Sequence, residues 1–486
     1  MSSYKKFTKD VGIIAVVNFL VVIKGIIFIP LITKLLGAFE YGIWTQLLIT
    51  VSLLTPLIRM GLTASLVRYL AAEKNKEESQ EGIYSTIFLI TIISLVFTLL
   101  FLIFANPISK FFQAPVILIT ILPLIILFEC LNSVFFSLFQ AYQEMIKYSL
   151  FMMLTSFGEI VLVVASVFSG YGLTGATFSL LFIRIFVFVL LFIAVYKKIG
   201  FKIPNFSPIK KYLYFGLPSV LSGFSYLIVT SSDKYLVGFF QGTLFVGYYA
   251  PAYSLGNVIT FLIIPLSFVL FPAVCKAYDE NKMDVVKNKL KYSLKYFLMI
   301  AIPSVFGLSV LTKELLKVFS TNDIMVHAFF VTPFIALSIL FYGTSDIFAQ
   351  ILTLVKKTKI VGYIWTFCAF LNIVLNLCLI PNFGILGAAI STLLSYIVAF
   401  VLAWYYSCKE FTFEIDWISI LKSLSAAFLM AILVFTINPK GLLTTIVTVV
   451  IGIIFYSILI ILTKGFTKKE FIFLKNILKP DEMIAE

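Results

Sequence analysis

Eight ionisable side chains stand well inside long apolar runs: Lys24, Arg59, Glu129, Glu159, Arg184, Asp233, Lys234 and Asp346. At the centre of a membrane span such a group costs about 2.5–3.5 kcal/mol on insertion scales, so it faces a hydrated cavity or pairs with another. Five of the eight fall in the first half of the chain, three cations against two acids. Arginine keeps its proton at any working pH and meets phosphate oxygens through a planar fork. Lys24, Arg59 and Arg184 are therefore candidates to hold an anionic headgroup in mid-membrane, with Asp233 and Lys234 as further lining or as a gate. The structural alternative is pairing, of Arg59 or Arg184 with Glu129 or Glu159, and of Asp233 with Lys234. Glu129, Glu159 and Asp346 are candidates to titrate, to bind a coupling cation or to act in gating.

Other chemistry has little support. The five cysteines, Cys130, Cys275, Cys368, Cys378 and Cys408, form no CxxC, and His327 is the single histidine. Zinc and haem sites need ligands at closer spacing, so no metal and no cofactor is expected. No phosphate-binding Walker loop, Gly-x-Ser-x-Gly or His-Glu-x-x-His motif occurs, which leaves an enzyme without its machinery. The net charge of +14 could suggest nucleic acid, but only three of the 37 basic residues are arginine, the side chain that readers of phosphate and bases favour.

The elements that must position these groups are helices in a bilayer. The chain of 486 residues is 61% hydrophobic and 12% charged, too few polar side chains to cover the surfaces of soluble domains. Fourteen apolar runs of about twenty to thirty residues, from 11–33 to 442–462, predict an all-α polytopic membrane protein and exclude a β-barrel. The first run has no small-residue cleavage site and is expected to be retained. Lysine and arginine crowd alternate connections by about five to one, which places both termini in the cytoplasm and the protein in the cell membrane.

Tyr171-Gly-Leu-Thr-Gly-Ala176 recurs 212 residues later as Phe383-Gly-Ile-Leu-Gly-Ala388, and Leu36-Gly37…Tyr41-Gly42 is echoed by Val237-Gly238…Val246-Gly247. These matches predict two parallel six-helix halves, residues 1–200 and 201–410, with two further spans in 411–463. A basic amphipathic tail over 464–486 is expected to lie on the cytoplasmic leaflet. Pro218 is a candidate bending point in span seven, and His327 is expected at the outer interface without chemistry.

Three stretches carry a family resemblance: Leu35-Leu-Gly-Ala-Phe-Glu-Tyr-Gly-Ile-Trp44, Arg59-Met-Gly-Leu-Thr-Ala-Ser-Leu-Val-Arg68, and Asp233-Lys-Tyr-Leu-Val-Gly…Val246-Gly-Tyr-Tyr-Ala-Pro-Ala-Tyr253. With the fourteen spans they resemble polysaccharide flippases of the Wzx type, in the superfamily that also holds multidrug antiporters and lipid II flippases. The resemblance implies two lobes around a cationic cavity that move a polyprenyl-diphosphate-linked oligosaccharide to the outer face by alternating access. It implies no catalysis, membrane lipids and glycan-assembly proteins as partners, and a monomer. Carried over by position, the cavity residues are Lys24, Arg59 and Arg184, with Asp233 and Lys234 in the second half. The second half departs from a strongly cationic cavity, since Lys234 is its one mid-span cation. A cation-coupled multidrug antiporter and a lipid II-type flippase are the alternatives within the superfamily. A membrane-embedded glycosyltransferase is the alternative outside it.

Overall fold

In hydrocarbon no water satisfies a backbone N–H or carbonyl, so an apolar chain in a membrane closes its hydrogen bonds within each helix. The computed structural model describes residues 3–70 and 76–465. Among them there is no strand, and the chain runs as α1 (Ser3–Arg59), α2 (Leu62–Leu70), α3 (Lys76–Ile103), α4 (Ala105–Phe112), α5 (Val116–Ala141), α6 (Met145–Ser166), α7 (Gly172–Ile199) and α8 (Ile209–Gln241). Then come α9 (Thr243–Gly256), α10 (Thr260–Asp279), α11 (Met283–Phe319), α12 (Asn322–Ala328), α13 (Val331–Leu354), α14 (Thr358–Cys408), α15 (Trp417–Ile437) and α16 (Leu442–Leu462). Ten helical runs are long and apolar enough to cross a membrane. Glycine breaks at Gly37, Gly172 and Gly384 divide three of them. The chain is an all-α, multi-pass membrane protein.

Two local departures from the hydropathy reading matter. The second pass stops at Arg59, where Met60 and Gly61 both take positive φ and α2 begins a new helix. The span expected at 325–354 is split into the short α12 and a separate α13, which carries Pro333 in its first turn, where proline is tolerated. By contrast α8 runs unbroken through position 218. The amphipathic stretch 466–479 lies outside the described residues.

The glycines matched in the sequence can be compared by backbone conformation. Gly172 (φ 54°, ψ −147°) and Gly384 (φ 59°, ψ −141°) share a conformation open essentially to glycine alone. Gly37 (φ 73°, ψ 175°) is matched by Gly242 (φ 89°, ψ 166°), not by Gly238, which lies inside α8. That corrects the register of the Gly37 match to 205 residues, a spacing Gly42 and Gly247 keep.

Those last two glycines touch. A Cβ on Gly42 would lie 3.0 Å from the Gly247 nitrogen, and one on Gly247 3.2 Å from the Gly42 nitrogen. Each would also overlap a carbonyl, that of Thr243 for Gly42 and that of Ala38 for Gly247. Ala38 and Thr243 stand 205 residues apart as well, so α1 and α9 meet about a local two-fold axis. In lipid, where apolar burial adds little between helices, such close backbone approach is a main source of association.

Contacts group the chain into two compact units, and these do not follow the sequence halves. Unit 1 comprises 1–251, 319–327 and 365–391. Its core is built on α5, with Leu122, Ile126, Phe135 and Phe139 buried among α1, α2, α3 and α7. The connection 200–208 is clasped to the start of α3: Tyr84 donates to the Gly200 carbonyl (2.6 Å), Ser85 to that of Asn205 (2.5 Å), and Lys202 pairs with Glu81 (2.8 Å). Where α5 gives way to α6, Glu144 meets Lys198 (2.5 Å) and Lys147 (3.0 Å). Burial works against its ionisation, but these two ammonium groups prevail and hold the carboxyl below its ordinary range.

Unit 2 comprises 252–318, 328–364 and 392–486. α15 and α16 pack as a pair, and Tyr456 ties them to α11 by donating to the Met299 carbonyl (2.6 Å). An apolar cavity of about 550 Å³ opens here, lined by Phe261, Leu262, Pro303, Leu308, Met430 and Tyr456 among others. Asp416 caps α15 by accepting from the Ser419 N–H (3.0 Å) and pairs with Lys295 (3.2 Å).

Candidate functional site

In unit 1 four of the charged side chains come from four helices to one place. Lys24 of α1 lies 3.4 Å from Glu159 of α6, and Arg184 of α7 reaches the same Glu159 oxygen through Nη2 at 3.2 Å. Arg184 Nε is 2.6 Å from Glu129 of α5. Asn132, one turn along α5, donates to the Arg184 carbonyl at 3.0 Å. Two cations and two carboxylates thus cancel within the membrane. Removing a partner from such a buried group strands a charge, which is why the quartet acts as a rivet between α1, α5, α6 and α7.

The quartet is not closed. Arg184 Nη1 is buried without a hydrogen-bond partner. The Glu129 side chain remains about a third exposed, at 35%. Arg59, the last residue of α1, donates from Nε to the Thr55 carbonyl at 3.4 Å. Cys130 Sγ reaches that same carbonyl at 3.8 Å, so Arg59 stands against the stretch of α5 that carries Glu129. Among the described residues no carboxylate is within ion-pair distance of Arg59. A broken helix end suits a cation, because its unpaired carbonyls carry partial negative charge.

Asp233 and Lys234 are placed differently. Asp233 is fully buried and accepts from Tyr249 Oη of α9 (2.7 Å) and from Lys234 Nζ (3.1 Å). Lys234 also donates to the Thr230 carbonyl at 2.8 Å. Next to them Ser232 and Asn376 both donate to Asn372 Oδ1, each at 2.9 Å. The pair is therefore internally neutral. His327 stacks on Tyr248, with centroids 4.5 Å apart.

Asp346 belongs to unit 2 and has only neutral partners. Ser267 of α10 donates to its Oδ2 at 2.5 Å, and Gln350 Nε2 lies 3.5 Å from that oxygen and 3.3 Å from Ser267 Oγ.

Of these groupings the sequence pointed to the charged residues and left their partners open. The break after Arg59, and the roles of Asn132, Tyr249, Ser267 and Gln350, escaped it. Gln350 had a signal, since it lies one helical turn from Asp346 on the same face.

A bundle of long apolar helices, broken at glycines and enclosing balanced charge, is the architecture of a multi-pass membrane protein. The chain belongs to the polysaccharide biosynthesis protein family, whose model matches residues 7–278. The MatE model matches residues 218–378. Two relatives come from Haloferax volcanii. The probable low-salt glycan biosynthesis flippase Agl15 is 22% identical over 254 residues, 52% of this chain and 54% of that protein. The probable flippase AglR is 31% identical over 176 residues, 35% of this chain and 36% of that protein. The chain thus matches about half the length of the first and about a third of the second. The fold is that of a solved lipid II flippase MurJ in an inward closed conformation, with a TM-score of 0.77 and 19% identity over 93% of this chain and 98% of that one.

Proposed function

We propose that this chain is a flippase that carries a polyprenyl-diphosphate-linked oligosaccharide, a repeat unit of a cell-surface polysaccharide, from the cytoplasmic to the outer face of the cell membrane. Arg59 is the observation that carries the reading: a permanent cation at a broken helix end, without a carboxylate partner among the described residues, beside a neutral quartet with one idle guanidinium N–H. A diphosphate entering this place would accept from Arg59 and from Arg184 Nη1 and would cancel the remaining positive charge. Lys24 then acts through Glu159, and Asp233 with Lys234 lines or gates the path. The sugar is shielded from hydrocarbon while the prenyl chain stays in lipid.

Movement of residues 1–200 against 201–410 would expose the headgroup to each face in turn. Both termini are then cytoplasmic, the working unit is a monomer without catalytic activity, and glycan-assembly proteins supply and use the substrate. The names of the Haloferax relatives and the family support this reading.

The test is flipping of a fluorescent polyprenyl-diphosphate sugar in proteoliposomes. A charge-assisted hydrogen bond is worth about 1.5–3 kcal/mol, so Arg59→Ala is expected to slow flipping about tenfold or more, with Arg59→Lys in between and insertion unchanged. Wild-type rates in Arg59→Ala would sink the reading.

A further inference from the structure

Unit 1 holds an apolar cavity of its own, about 680 Å³, between α1, α3, α4 and α8. Its wall is leucine and phenylalanine with two polar side chains, Thr50 and Tyr235. These share a hydrogen bond of 2.6 Å, and Thr50 also donates to the Gln46 carbonyl at 2.7 Å. Water entering the cavity would therefore find few partners. A dry void of this size would forfeit the dispersion contacts of every wall atom. Leu100 and Phe104 of the wall are exposed on α3, a helix that presents most of its surface to the surroundings. In a bilayer those surroundings are hydrocarbon, so a lipid chain is what fills the space.

The cavity has a direction. Along α1 its wall extends from Thr50 to Leu57, about 10 Å of helix. At the Thr50 end stands α4, whose Phe112 ring lies 6.2 Å from that of Tyr235. The apolar run of α3 ends at Ile103 and gives way at once to α4, so this end is the rim of the membrane span. Lys110 lies on the exposed side of α4, next to the wall residue Phe111. It is the single charged residue between Glu81 and Glu129, and no carboxylate among the described residues pairs with it. We propose that the cavity binds one acyl chain of an anionic phospholipid from the leaflet on which α4 lies, with the lipid phosphate held by Lys110. A phospholipid of that leaflet has the matching orientation, head at the rim and tail toward mid-membrane, and a lysine at the headgroup level attracts an anionic head. A chain hanging from a headgroup at Arg59 would enter from the opposite end, at Leu57. The proposal does not rest on the flippase reading.

The experiment uses the full chain in phosphatidylcholine vesicles doped with a phosphatidylglycerol that carries a diazirine in its acyl chain. After illumination the labelled residues are mapped by mass spectrometry. Labelling is expected to saturate and to concentrate on residues 50–57 and 97–112. Unlabelled phosphatidylglycerol should remove it, and added phosphatidylcholine should do so several-fold less well. Lys110→Glu is expected to lower the labelling several-fold and Lys110→Arg to keep it, while Leu100→Trp, which fills the mouth of the cavity, removes most of it. Both sites are exposed, thermal melting shows that the variants fold, and the competition in the wild type needs no variant. Label spread evenly over the exposed side of α3, or labelling unchanged in Lys110→Glu, overturns the proposal. So does displacement by a polyprenyl diphosphate at lower concentration than by phosphatidylglycerol, which would give the cavity to a prenyl chain instead.

Discussion

Unit 1 gathers two acids and two cations from four helices into contact and leaves Arg59 over. Unit 2 places one mid-membrane acid among neutral hydroxyl and amide groups and lines a cavity with apolar side chains. In the first, charge is structural cement, and the helices it joins lose their partners if it is removed. In the second, the acid is held by neutral hydrogen-bond donors and joins no cation among the described residues. Counting charged residues cannot tell these roles apart. Only the identity of each partner does.

The contrast breaks most clearly by deletion. Glu159→Ala strands Lys24 and leaves Arg184 with Glu129 as its one carboxylate, and is expected to cost about 3–5 kcal/mol. Asp346→Asn strands no cation and is expected to melt at or above the wild-type temperature. Equal losses in the two variants, measured by thermal unfolding in detergent, would erase the distinction.

Packing sharpens the same contrast on a smaller scale. Gly247→Ala forces a methyl group into the Ala38 carbonyl and is expected to cost about 1–3 kcal/mol. Gly307→Ala, in the wall of the unit 2 cavity, meets only Met430 Cε at 3.8 Å and is expected to be near neutral. Chemical denaturation of each variant checks the pair.

The smallest effect lies at the loop ends, where the units behave alike. The Glu144 carboxyl is held low by Lys198 and Lys147 against the opposing effect of burial, and that of Asp416 by Ser419 and Lys295 against the same effect. A lowered folded value means their stabilisation is present above the unfolded carboxylate range, near pH 4, and is lost as pH falls through the folded value. Each side chain is about a quarter exposed, at 27% and 26%, and solvent screening leaves about a few tenths of a kcal/mol each. Glu144→Gln should flatten the acid side of the melting-temperature profile slightly, and a steepened profile would contradict this.

Much of the fold was legible because hydrocarbon imposes one solution on an apolar run. The long helices followed from Val, Ile, Leu and Phe content. What was illegible depended on rotation about helix axes. Whether Arg184 meets Glu129 or Glu159 is decided by how α5, α6 and α7 turn toward each other, and it meets both. The register of Gly37 went to Gly238 instead of Gly242 because glycines in apolar surroundings look alike in sequence and differ only in φ and ψ. The end of α1 at Arg59 was hidden for a similar reason, since Met60 is an ordinary helix former that here takes φ 48°.

The contact between Gly42 and Gly247 reaches further than packing. Residues in equivalent places of a repeat touch each other only on the axis that relates the copies, as one residue does with itself across a symmetric dimer. A half-length chain would need a single glycine to make this contact, and one substitution would spoil both sides at once. In the joined chain there are two glycines and two separate codons, yet each backbone still forbids a side chain on the other. The mutational target at that point therefore counts two positions, each as strict as the other.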